Sequence, residues 1–162
     1  MIKQSISLSI LFMFLFACAQ MPKFDRTGIE KVLMPSQVRA ELASHQGKIV
    51  LWGGTILDGK NLKDQTRLEI LAYPLDEDGW PDRDQKPLGR FLAIHQGYLE
   101  TADYGPGRLV SVVGTISGVE KGKVGETRYT YPIIQVKQQH LWPKSGRKSD
   151  TRVHFGVGVV FH

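Results

Sequence analysis

Thr66-Arg67-Leu68-Glu69-Ile70-Leu71-Ala72-Tyr73-Pro74-Leu75 alternates. Leu68, Ile70 and Ala72 fall on one face, and Arg67, Glu69, Leu71 and Tyr73 on the other. A period of two is the pattern of a strand with one face buried. Upstream, Ile49 to Leu57 is β-branched and aliphatic with Gly53-Gly54 in its middle, where glycines suggest a bulge or a barrel corner. Asp58-Gly59 then reads as a turn. Downstream, Asp76 to Pro87 is a polar loop and Gly89 to His95 a third strand. Arg108 to Ile116 is a fourth, with Val110, Val112 and Ile116 on one face and Gly114 between them. Gly118 to Gly125 reads as a hairpin loop, and Arg128 to Lys137 as a fifth strand. Trp142 to Asp150 is a polar linker, and Thr151 to Phe161 alternates again as a sixth strand. Met34-Pro35-Ser36 starts a short helix running to about Ser44, with proline in the first turn, Val38 and Leu42 on one face and Gly47 as the stop. Short strands, turn signals and mid-strand glycines predict a mainly β chain. The expected architecture is a small antiparallel barrel, OB-fold-like, with one short N-terminal helix.

The first 18 residues follow a different logic. Lys3 is the only charge before an apolar run, Ile6 to Phe16, interrupted by Ser7 and Ser9. That run has the length of a signal-peptide core and is too short to span a bilayer, which takes roughly 20 apolar residues. It ends in Leu15-Phe16-Ala17-Cys18, which resembles the bacterial lipobox, Leu-x-small-Cys. Residues 1–17 are therefore expected to be a lipoprotein signal peptide and 18–33 a lipidated tether. Residues 34–142 would be the barrel domain, and 143–162 a linker and extra strand. The resemblance implies that the Cys18 thiol takes a diacylglyceryl group and that cleavage then frees its amine for acylation. One acyl chain anchors only marginally, and two or three hold firmly. Ala19 replaces the aspartate that retains enterobacterial lipoproteins at the inner membrane, so the outer membrane is the expected destination.

Several further blocks resemble one family. Gly53-Gly54-Thr55-Ile56, Thr66-Arg67-Leu68-Glu69-Ile70 and Pro74-Leu75-Asp76 are similar to blocks of the starvation-inducible outer-membrane lipoprotein family Slp. Gly89-Arg90-Phe91, Val113-Gly114-Thr115-Ile116-Ser117-Gly118, Gly122-Lys123-Val124-Gly125 and Tyr131-Pro132-Ile133-Ile134-Gln135-Val136 resemble its later blocks, and Leu141-Trp142 its closing aromatic. The resemblance spans about Met34 to Trp142 plus the lipobox. It implies a periplasm-facing outer-membrane lipoprotein linked to stress or stationary phase, and brings no catalytic residues with it.

The remaining motifs point away from chemistry. The chain of 162 residues has one cysteine, which excludes an internal disulfide or a cysteine-rich zinc site. Its net charge is +5, but basic and acidic residues interleave, so no nucleic-acid partner is expected. Gly118 to Val124 resembles a phosphate loop but has three residues between its glycines, not four, and Val124 where a hydroxyl is needed. Asp76, Asp78, Asp82 and Asp84 fail the EF-hand pattern, with Trp80 fifth and Pro81 sixth. His45, His95, His140, His154 and His162 lack ligand spacing, and Glu69 and Glu100 have nothing that brings them together as acid and base. No catalytic residue, metal or cofactor is expected, and the chain is not read as an enzyme. Trp52, Tyr73, Trp80, Tyr98, Tyr129, Tyr131 and Trp142 give aromatic density suited to an OB face. The leading expectation is a structural or interaction module tied to the membrane by its lipid, with an envelope protein or glycan as partner. The rivals are a periplasmic OB-like binding domain for a small ligand or glycan strand, and an envelope hydrolase.

Overall fold

Five strands carry the fold in the computed structural model, which describes residues 22–144. They are β1 (Ile49–Asn61), β2 (Gln65–Tyr73), β3 (Gly89–Gln96), β4 (Leu109–Val124) and β5 (Thr127–Leu141). The alternation of β2 is realised as expected: Leu68, Ile70 and Ala72 are buried while Arg67, Glu69, Leu71 and Tyr73 are half-buried on the outer face. The strands close into a barrel in the order β1-β2-β3-β5-β4, the Greek-key order of an OB-like fold. The expected antiparallel pairing holds at four of the five seams. The fifth, β3 with β5, is parallel over Leu92–Ile94 and Ile133–Gln135. An odd number of strands cannot alternate direction all the way round a ring, so one parallel neighbour is unavoidable. The core inside contains Val50, Trp52, Ile56, Leu68, Ile70, Phe91, Val110, Val112, Ile116 and Ile134, with Val136 partly buried against it.

Three local expectations are corrected. Asp58-Gly59 is not a turn: β1 runs through it to Asn61 after a bulge at Leu57, where the register against β2 shifts. Gly53 and Gly54 are not the bulge. They pair on both sides, with Tyr73 and Ser111 and with Ala72 and Val110, where strands approach closely. A Cβ on Gly54 would sit 1.9 Å from the Leu71 carbonyl oxygen. Gly118 to Gly125 is not a loop, since β4 continues to Val124 and pairs residue by residue with β5, leaving only Gly125-Glu126 to turn.

The helix is shorter than its pattern suggested. α1 (Pro35–Ala40) buries Pro35 and Val38, and the Met34 N–H donates to the Gln37 side-chain oxygen at its start. Glu41 breaks the helix, and Leu42–Ser44 forms a single 3-10 turn. Trp142 belongs to the core rather than to a linker. It is buried, its backbone N–H donates to the Leu109 carbonyl, and its indole N–H donates to Ser111 Oγ. The sixth strand, Thr151 to Phe161, lies outside the described residues.

The stretch expected as a tether is described from Pro22, and from Lys23 it lies against the barrel. Gln138 accepts from the Asp25 N–H and donates to the Lys23 carbonyl. The Phe24 ring meets His140 and Trp142, each at 6.5 Å between centroids. Ile29 bridges to Ile49 at the start of β1, and the Leu33 carbonyl accepts the Trp52 indole N–H at 2.7 Å.

Candidate functional site

In OB-like barrels the outer face of β2 and β3, flanked by the β1–β2 and β4–β5 connections, is where oligonucleotides and sugars bind. Here that face is already occupied. Beyond Gly118, β4 and β5 pair only with each other and form an arm. The arm reaches β2 and β3 through its side chains. Glu120 pairs with Arg67 at 3.0 Å, and the Tyr129 hydroxyl accepts the Arg90 backbone N–H at 2.8 Å. The Tyr131 hydroxyl donates to the Lys123 carbonyl and lies 3.3 Å from Glu69 Oε1, while Glu69 holds the Arg90 guanidinium at 2.7 Å. Burial, with the Glu69 carboxylate second, pushes the Tyr131 hydroxyl above its ordinary pKa, so it stays a neutral donor. Tyr131 is 5% exposed, and Leu92 and Ile94, whose side chains alternate with the core-facing ones of β3, are buried too.

The aromatic residues do not converge on one face. Trp52 stacks edge-on with Phe91 inside the barrel, at 5.3 Å. Trp80, Trp142, His140 and Phe24 form a separate group, with Trp80 and Trp142 at 4.8 Å and His140 and Trp142 at 4.4 Å. Burial lowers the His140 pKa below its usual value. Tyr98 stands exposed beyond β3. Tyr129 and Tyr131 come together beside charged groups; their rings lie 4.7 Å apart, and the Arg39 guanidinium sits 4.7 Å above Tyr129. Sequence reasoning marked the two tyrosines but missed Arg90 and Arg39, whose only signal is proximity in the fold.

Two concavities open elsewhere. One, of about 420 Å³, lies between residues 26–35 and the β1/β2 end, with Leu33, Met34, Trp52, Tyr73, Leu75 and Leu88 among its walls. Arg26, Lys31 and Asp76 also line it. The other, of about 720 Å³, lies between the 80–84 loop and Arg108, beside Pro143 and Lys144. Arg108 donates to the carbonyls of Asp103 and Trp142.

The other candidate groups are held apart. Asp76 Oδ1 accepts from the N–H groups of Asp78 and Trp80, and Asp82 accepts from the Asp84 N–H and the Gln85 side chain. The aspartates therefore shape their own loop. Glu69 is bound to Arg90, whereas Glu100 accepts from the Tyr98 hydroxyl and the Ala102 N–H. Among the described residues no group of three or more His, Cys, Asp or Glu is placed to hold a metal ion, and no helix is long and apolar enough to cross a membrane. His154 and His162, like Cys18, lie outside the described residues.

Comparison with known proteins gives one family and several relatives. The model of the outer membrane lipoprotein Slp family matches residues 15–159. The uncharacterized lipoprotein YeaY of Escherichia coli K12 is 36% identical over 96 residues, covering 59% of this chain and 49% of that protein. An uncharacterized protein of Haemophilus influenzae Rd is 32% identical over 99 residues, 60% of this chain and 54% of that one. Outer membrane protein Slp of Escherichia coli K12 is 28% identical over 144 residues, 88% of this chain and 76% of that one. The chain thus spans about half the length of the first two relatives. Among solved structures, a small single-stranded DNA-binding protein from Streptomyces coelicolor superposes with a TM-score of 0.40 at 14% identity, covering 62% of this chain and 98% of that one. A likeness that distant carries nothing about a ligand.

Proposed function

The chain belongs to the outer membrane lipoprotein Slp family, and from that premise we infer that it is an interaction module of the envelope. In this reading it is held at the outer membrane by acyl chains on Cys18, faces the periplasm, acts under stress or in stationary phase, and has no catalytic centre of its own. One observation carries the reading: the β2–β3 face that would receive a strand ligand is filled by the chain's own β4–β5 arm, which meets it through the Arg67–Glu120 pair and through Tyr131 at the Glu69–Arg90 pair. A barrel that covers this face itself offers its rim, arm and surface to a partner.

The small-ligand reading is favoured by the 420 Å³ groove, which falls in the size range of ligand sites and is walled by Trp52, Tyr73 and Leu88. Cross-linking in intact cells separates the two. The lipidated wild type is expected to capture a defined envelope protein, and Cys18→Ser is expected to lose both palmitate labelling and that capture. Equal labelling of wild type and Cys18→Ser would remove Cys18 as the anchor. A cross-link map with no protein partner but with glycan attached at the groove would favour the ligand reading.

A further inference from the structure

We propose that the face formed by residues 23–34 rests on the phospholipid surface to which the anchor ties the chain, with Val32 and Met34 entering the interfacial layer and Lys23, Arg26 and Lys31 meeting anionic phosphates. The proposal rests on the reading of Cys18 as the anchor.

The first argument is reach. Lys23 is fixed to the barrel by its carbonyl's bond to Gln138, and Phe24 is wedged beside Trp142 and His140. Gly79 closes over the Phe24 ring so tightly that a Cβ there would lie 2.7 Å from it. Lys23 lies only five residue steps after Cys18. Fully extended, they span about 17 Å. Lys23 therefore stays within about two Debye lengths of the headgroups at physiological salt. The barrel cannot swing free of the bilayer on a long leash.

The second argument is composition. Val32 is 76% exposed and Met34 38%, two of the four large apolar side chains the described residues leave open to solvent. Of the acidic groups of this segment, Glu30 pairs with Lys48 at 3.7 Å, while Asp25 accepts from the Thr27 N–H and keeps its charge, so the three cations stand against one unpaired carboxylate. Arg26 is held by the Glu77 carbonyl, which leaves its charge uncompensated by that bond, and Lys31 stands exposed. Exposed apolar side chains beside cations fit the interface of an anionic bilayer, where juxtamembrane basic residues are attracted within a Debye length. The apolar groove opens among these same residues and adds apolar wall to the face.

The third argument is placement. The segment touches the barrel at the level of the first residues of β1: Ile29 meets Ile49, and Gln138 lies opposite Val113, which pairs with Leu51. The other two exposed apolar side chains, Leu62 and Tyr98, follow the far ends of β1 and β3. The 13 residues of β1 put about 40 Å of strand, at about 3.3 Å per residue, between the two ends.

The test anchors the chain from Cys18 to His162 chemically, through its single cysteine, to a maleimide phospholipid in nanodiscs containing phosphatidylglycerol. It does not depend on whether cells lipidate Cys18, which palmitate labelling of Cys18→Ser decides separately. A gadolinium-chelating lipid should broaden the amide signals of Arg26, Lys31, Val32 and Met34 and leave those of Leu62 and Tyr98 sharp. Arg26→Glu combined with Lys31→Glu should bring the broadening at Val32 and Met34 down toward that of Leu62. Equal broadening at both ends, stronger broadening at Leu62 and Tyr98, or no response to the charge reversal would each overturn the proposal. Residues 26–34 left sharp would overturn it too and leave that face to a protein partner.

Discussion

At the scale of single residues, the outer face of β2 shows what alternation can and cannot say. Arg67 and Glu69 share a face and a spacing, yet their surroundings differ. The Arg67–Glu120 pair is about one-third to one-half exposed, at 34% and 47%, and such pairs contribute about 0–1 kcal/mol. Glu69 is 23% exposed, binds Arg90 at 2.7 Å and faces the Tyr131 hydroxyl. Glu69→Ala removes a charge-assisted bond and leaves a half-buried guanidinium poorly paired, a loss of about 1–2 kcal/mol. Arg67→Ala is expected to cost about 0.5 kcal/mol or less. Denaturant unfolding of the two variants checks this, and equal losses would mean that the arm is held by neither pair in particular. The face of Glu69 was legible from its neighbours in the chain. Its partners were not, because Arg90 and Tyr131 lie 21 and 62 residues away and no local pattern encodes the meeting.

At the scale of elements, the strands that were read well are those with one buried face. β2 alternates cleanly because one side meets the core and the other does not, whereas the first six residues of β4 are buried on both faces. Leu68→Ala and Ile70→Ala, which remove fully buried side chains, are each expected to lower stability by about 2–5 kcal/mol. A loss under about 1 kcal/mol in the same unfolding measurement would mean that the barrel interior collapses around the gap. The β4–β5 arm was misread because its glycines look like turn residues. Gly122 instead leaves room for an aromatic ring: a Cβ there would stand 3.0 Å from Tyr131. Glycine as a close-packing residue and glycine as a turn residue look alike until the strand opposite is known. The N-terminal segment was misread for a related reason. It has no periodicity, since its contacts with Gln138, Trp142 and Ile49 are made by single residues and not by a repeating face.

At the scale of the whole molecule, ring closure explains why distant parts of the chain share one fate. The barrel closes only when β5 reaches β3 and β4, and its end carries Trp142 into the core, where Ser111 bridges the Trp142 indole and the Gly79 carbonyl. Phe24 then covers Trp142, so the N-terminal segment, the 76–84 loop and the end of β5 meet at one place, around His140. Burial lowers the His140 pKa from its ordinary 6.5, and the rings of Phe24 and Trp142 on either side offer no charge to offset it. The folded state therefore prefers neutral His140, while the unfolded chain binds its proton near pH 6.5. Where the unfolded state holds more protons, stability rises with pH. The contribution of His140 is thus fully present above about pH 6.5 and is lost as the pH falls through the lower, folded-state value. Urea midpoints of the chain from Cys18 to His162 should fall between pH 7.5 and 5.5, and His140→Gln should flatten that slope while leaving Leu68→Ala additive with it. The amide signals of Phe24 and Asp25 should shift over the same range in the wild type and stay put in His140→Gln. A pH slope unchanged in His140→Gln would assign the acid sensitivity to other titrating groups and detach it from the junction where the N-terminal segment joins the barrel.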